Sequence, residues 1–172
     1  MTYADEEDYS HIGVAYSSED IDALLLPISG TPIETWEPIR LALRDGGLVD
    51  YLANDLGARL CSARLREIIE TARTQRDSIQ WVDVNVVSDS GEETPYHILH
   101  FPTAPPVVKK ECSTYAGDMV VKAVLDESVV RGLSIFALPD EGGRITFVSS
   151  AMRNRILLSG LTGMDFHPVR VV

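Results

Sequence analysis

Cysteine is nearly missing from this chain of 172 residues: Cys61 and Cys112 stand far apart and outside any C-x-x-C spacing. That excludes a disulfide-stapled scaffold, and in a reducing compartment two small buried thiols are a simpler reading than a pair. Also missing is any apolar run near the roughly 20 residues that cross a bilayer, so no membrane partner is expected. The first ten residues, Met1 to Ser10, are acidic where a secretory leader is basic and then apolar, which points to the cytoplasm. Basic residues are scarce as well: 15 Lys and Arg face 26 Asp and Glu, for a net charge of −11. A field of that sign repels nucleic acid and attracts basic protein surfaces.

What is present suits a folded domain. The hydrophobic content is 45% and the mean hydropathy +0.02, values of a globular chain. A length of 172 residues buries a core without metals or staples. The charge is uneven. Residues 1–60 hold twelve acids against Arg40, Arg44 and Arg59, a net −9, and the remainder is nearly neutral. The acids near the start, Asp5, Glu6, Glu7, Asp8, Glu19, Asp20 and Asp22, are candidate partner contacts; the alternative is a solvated face that only maintains solubility. Trp36 and Tyr51, large aromatics within that region, are either interface anchors or plain core.

Hydrophobic periodicity gives the elements. Ile12 and Val14 alternate as in a short strand, and Leu24 to Ile28 is an apolar run broken by Pro27. Leu41 to Gly57, with Gly46-Gly47 and Asn54-Asp55, reads as turns around one short element. The clearest helix runs from Ala63 to Arg73: Ser62 caps it, and Leu65, Ile68, Ile69 and Ala72 share one face. Gln80 to Val87 alternates as a strand, with Val82, Val84 and Val86 on one side and Trp81, Asp83 and Asn85 on the other. Tyr96 to Phe101 pairs with it across the polar turn Ser88 to Thr94. Pro102, Pro105 and Pro106 impose an extended linker. Strands follow at Met119 to Leu125, Leu133 to Leu138 and Ile145 to Val148, the last two joined across residues 139–143. A second helix starts after Ser149, and Met164 to Val171 is a closing strand, with Gly160 or Gly163 at positive φ between them.

Two stretches look alike. Cys61-Ser62-Ala63-Arg64-Leu65-Arg66 followed by Trp81 to Val87 parallels Val148-Ser149-Ser150-Ala151-Met152-Arg153 followed by Phe166 to Val172. Either the chain holds two related α–β units in one sheet system, with Leu65 and Met152 equivalent, or two Ser-capped helices precede strands by coincidence. The fold class is α+β: an antiparallel or mixed sheet of five to seven strands with two principal helices packed on it. Its core is expected to contain Leu65, Ile68, Ile69, Val82, Val84, Ile98, Ile135, Phe136, Phe147, Met152, Ile156, Phe166 and Val169.

For chemistry the chain is quiet. His97 and His100, three apart in a strand, point to opposite faces and do not ligate one metal together. His11 and His167 have no acidic or cysteine partner at ligand spacing. No phosphate-cradling glycine loop occurs, and Ser149, Ser150 and Ser159 lack a nucleophile elbow. Glu92-Glu93 and Asp126-Glu127 could serve acid–base work only inside an apolar pocket, and turns are their expected place. No catalytic residue, cofactor or metal site is predicted.

Three strings carry a resemblance: D-Y-L-A-N-D-L-G-A-R-L-C-S-A-R-L-R-E-I-I (Asp50 to Ile69), V-L-D-E-S-V-V-R-G-L-S-I-F-A-L (Val124 to Leu138) and S-G-L-T-G-M-D-F-H-P-V (Ser159 to Val169). In this order they resemble a family of bacterial immunity proteins, immunity family eleven of the polymorphic-toxin systems, over residues 30–172. The resemblance implies an α+β antitoxin that protects the producing cell by binding a toxin's effector domain. Some relatives of this group look as if they carry paired C-x-x-C knuckles; this chain has none, so the resemblance implies no zinc here. Residues 1–45 are then an acidic N-terminal region and 46–172 an immunity-type domain. The alternatives are a small cytoplasmic enzyme of unfamiliar type and an acidic adaptor unrelated to toxins.

Overall fold

The computed structural model describes residues 1–3, 13–17, 30–44, 46–117, 119–138 and 145–172. Among the described residues, fourteen strands and three α-helices make an α+β fold with mixed pairing. The strands are β1 (Thr2–Tyr3), β2 (Val14–Ser17), β3 (Ile39–Arg44), β4 (Tyr51–Asn54), β5 (Leu60–Ser62), β6 (Gln80–Val87), β7 (Glu93–His100), β8 (Thr114–Ala116), β9 (Met119–Lys122), β10 (Val124–Leu125), β11 (Ile135–Phe136), β12 (Phe147–Val148), β13 (Met164–Asp165) and β14 (Arg170–Val171). The helices are α1 (Ala63–Ala72), α2 (Glu127–Val130) and α3 (Ser150–Leu158).

Six strands close a barrel in the order β2-β3-β6-β7-β5-β4. Closure depends on two parallel pairings, β2 with β4 and β3 with β6; the other barrel pairs are antiparallel. The expected mixed sheet is present and its six barrel strands close on themselves, which leaves these members no free edge. Strands from both sides of residue 45 take part, since β2 and β3 lie before it. The stretch 41–57, read as turns around one short element, contains the end of β3 and the whole of β4. In β3 the alternation of buried Leu41 and Leu43 with exposed Arg40, Ala42 and Arg44 is that of a strand with one face inward.

Parity then sorts the side chains into layers. Ala15, Leu41, Leu43, Leu52, Leu60, Val82, Val84, Val86, Tyr96 and Ile98 fill the barrel. Residues of the other parity, Tyr51, Cys61 and Leu99, meet Leu65 and Ile69 of α1, Met152 and Ile156 of α3, and Ile135. The inward residues of both helices thus share one cluster with outward residues of the barrel strands. Each helix buries two large apolar side chains there, worth about 1.5–3 kcal/mol apiece. A third cluster joins Val107, Leu125, Phe136 and Leu138, with the rings of Phe136 and Phe147 stacked at 5.2 Å. Of the expected core, Ile68, Phe147, Phe166 and Val169 are only partly buried; the rest are buried.

The likeness between the two Ser-capped stretches is confined to the caps and first helical turns. Ser62 accepts from the Leu65 amide and Ser149 from the Met152 amide, both at 3.2 Å, and Leu65 and Met152 enter the same cluster. The strands after them differ. Trp81 lies in the eight-residue barrel strand β6, whereas Phe166 lies outside any strand, between β13 and β14. The expected single closing strand is split in this way because β13 pairs with β1 and β14 pairs in parallel with β10, with Pro168 between them. The four-residue helix α2, capped by Asp126, was not anticipated. Residues 139–143, expected to join β11 to β12, lie outside the described residues, as does Leu24 to Ile28.

Candidate functional site

On the outer wall of the barrel, α1 and the β6–β7 hairpin bring one set of polar and aromatic groups together. The hairpin register places Asp83 opposite His97. The His97 Nδ1 lies 2.8 Å from Asp83 Oδ1 and 2.9 Å from Arg66 Nη1. One ring nitrogen cannot donate to the carboxylate and accept from the guanidinium at once, so the proton on Nδ1 decides which bond forms. The Arg66 guanidinium also lies 5.5 Å over the Trp81 ring, whose Nε1 donates to Glu70 Oε1 at 2.7 Å. Glu70 in turn pairs with Arg73 at 3.1 Å. The group forms because outward positions of α1 (Arg66, Glu70) stand above outward positions of the hairpin (Trp81, Asp83, His97).

Asp50 builds a second site. Its buried carboxylate accepts from Ser62 Oγ at 2.6 Å and from the Thr162 amide at 3.0 Å, with the Arg64 guanidinium 3.7 Å away. It ties the start of β4, the cap of α1 and the link after α3 together. A cavity of about 360 Å³ opens beside it, lined by Leu48, Arg64, Pro95 and Tyr96 among others. Because all its near donors come from the fold, Asp50 acts as a clamp.

The expected contact residues Asp5, Glu6, Glu7, Asp8, Glu19, Asp20 and Asp22 lie outside the described residues, as does His11. Trp36 is half-buried: its ring packs against the barrel cluster and its Nε1 donates to the Asp83 carbonyl at 2.8 Å. Tyr51 is fully enclosed between barrel and helices, so of its two readings the structure supports core and not a surface anchor. The two aromatics belong to different clusters and do not meet. Sequence reasoning missed Arg66, Asp83 and His97 as a group. The signal was the alternation of β6, which sets Trp81 and Asp83 outward, combined with the hairpin register.

The chemistry open to these groups is narrow. His100 points away from His97 and is buried, its Nε2 donating to the Thr31 carbonyl at 2.6 Å. Burial lowers its pKa, with the Arg59 charge acting the same way and the Thr31 carbonyl opposing, so the ring is neutral at pH 7. Cys61 stands opposite His97 in the β5–β7 ladder, but burial pushes its thiol far above the ordinary range and leaves it without nucleophilic character at neutral pH. Among the described residues no three His, Cys, Asp or Glu are grouped to hold a metal ion. No helix there is long and apolar enough to cross a membrane.

The described residues thus form an α+β fold around a closed barrel, with Arg66, Trp81, Asp83 and His97 grouped on its outer wall. The comparison with family models specifies it further: the chain belongs to the immunity protein family (Imm11), whose model matches residues 2–171. The match begins at residue 2, so the acidic N-terminal region, where a likeness was not expected, is part of the family pattern. No curated protein matches the chain.

Proposed function

We propose that the chain is an antitoxin that binds the effector domain of a cognate bacterial toxin and neutralises it by occlusion, in the cytoplasm of the producing cell. The observation that carries this reading is the family match over residues 2–171. A stoichiometric inhibitor needs a preformed surface and no cofactor, metal, nucleic acid or membrane. The acidic N-terminal third, net −9, supplies a field suited to a basic toxin cleft of the kind that holds phosphates. Such a field speeds association and discriminates between partners, while a few desolvated anchors supply the affinity. Trp36 is one such anchor in this reading, half-exposed beside Asp83.

The test is co-production with the toxin domain encoded beside this chain. A complex that survives size-exclusion chromatography, together with restored growth of the toxin-producing cell, is the expected result. Neutralising Asp5, Glu6, Glu7 and Asp8 together, and separately Glu19, Asp20 and Asp22, is expected to slow association and flatten its salt dependence. Toxin that stays active with the chain in excess rejects the reading.

A further inference from the structure

We infer that the outward face of α3 is a contact surface for the toxin domain, shaped for an apolar patch rimmed by carboxylates; this rests on the antitoxin reading above. Met152 and Ile156 point α3 at the core. On the opposite side it presents Ser150, Ala151, Asn154, Leu157 and Leu158, with Leu158 89% exposed and Leu157 47%. A helix with one wall in solvent ordinarily keeps charge or polarity on that wall. The outward positions of α1, occupied by Arg64, Glu67 and Thr71, follow that rule. On α3 apolar residues occupy both sides, as in a helix covered from both sides.

Charge identifies what covers it. α3 carries no acidic residue, although the chain as a whole has a net charge of −11. Arg153 and Arg155 flank the apolar stripe, and neither makes an ion pair among the described residues. Arg153 is held over the Phe166 ring at 5.8 Å. Arg64 extends the same rim, its Nη2 donating to the Ser159 carbonyl at 3.3 Å. Arg64 is shared with Asp50, 3.7 Å away, so the unpaired charge of the rim is that of Arg153 and Arg155, and an apolar centre bordered by these two is complementary to an apolar patch bordered by Asp and Glu. The toxin domain then meets this chain through contacts of two signs, basic against the N-terminal third and acidic against α3, which fixes its orientation more firmly than one field alone.

The experiment titrates the purified full chain against the cognate toxin domain by calorimetry, with unfolding midpoints recorded for each variant. The double variant Leu157→Ser/Leu158→Ser is expected to weaken binding about tenfold or more, and Arg155→Glu about threefold or more, with unfolding midpoints nearly unchanged. Glu67→Ala on α1 is expected to bind as the parent does. Parent-like binding by both α3 variants overturns this inference and leaves the antitoxin reading standing. A parent chain that does not bind the toxin domain overturns both. Sedimentation supplies the remaining outcome: a parent dimer that the double variant dissociates, with toxin affinity unchanged, assigns the face to a second copy and overturns the inference.

Discussion

Helices α1 and α3 begin alike and end differently. Each is capped by a serine in the same extended geometry, and each sends two residues into the cluster between the helices and the barrel wall. The difference lies in what surrounds them. The α1 cap is wired into the fold, because Ser62 also donates to the buried Asp50; among the described residues the Ser149 side chain has only its capping bond. The outward wall of α1 is charged, and that of α3 carries Leu157 and Leu158. Inward faces and caps thus record what folding requires of both helices, and outward faces record what is left for other work.

The largest test of this division falls on the link between α3 and β13. Gly160 and Gly163 both have positive φ, 63° and 89°. They are not equivalent. A Cβ at Gly163 would lie 2.5 Å from the Tyr51 carbonyl and 2.7 Å from Val49 Cγ2, while at Gly160 it would meet nothing within 4 Å. Gly163→Val is expected to cost about 2–6 kcal/mol, combining backbone strain with overpacking against β4. Gly160→Ala is expected to cost only about 1 kcal/mol. Equal shifts of the urea midpoint for the two would show that the link adapts and that the close approach is not required.

Next in size are the inward faces. Ile69→Ala and Ile156→Ala each empty a fully buried position and are each expected to cost about 2–5 kcal/mol. If the two helices share one core, the double variant will depart from additivity; strict additivity would separate them into independent layers.

These inward faces were legible in the sequence, and so were the bounds of β6, because each depends on a period read within ten residues. The barrel was not. Its closure pairs β2 with β4 and β3 with β6, and nothing local to Val14 or Ile39 announces a partner some forty residues away. Glycine and Asn-Asp signals in 41–57 also left one short element where two barrel strands pass, whose burial is decided by that closure. The site was half legible for the same reason. The outward side of β6 was read correctly, but Arg66 reaches Asp83 and His97 only because α1 folds back over the hairpin. Tyr51 could not be sorted between core and surface until β4 had been placed in the barrel with a helix layer outside it.

The caps offer a finer comparison. Ser149→Ala removes one capping bond and is expected to cost about 1 kcal/mol. Ser62→Ala removes the same bond and leaves the Asp50 carboxylate without its shortest donor, adding about 1–3 kcal/mol. The companion change Asp50→Asn narrows this gap if the carboxylate is its cause. Ser62→Ala and Ser149→Ala of equal cost in chemical denaturation would show that Asp50 contributes nothing to the cap.

The smallest expected effect separates folding from binding. Leu158 is 89% exposed, so its side chain gives up almost no water-accessible surface when the chain folds. Leu158→Ser is therefore expected to move stability by less than about 0.5 kcal/mol, no more than Glu67→Ala on the outward side of α1. A core position of the same chemistry would lose several times as much, as the Ile156→Ala comparison one half-turn earlier measures directly. An exposed leucine on one helix and an exposed glutamate on the other are then equivalent for folding, and only a partner distinguishes them. Thermal unfolding of the two variants checks this: a loss of about 2 kcal/mol or more in Leu158→Ser would mean that the residue is covered within the folded monomer, and the outward wall of α3 would belong to the core after all.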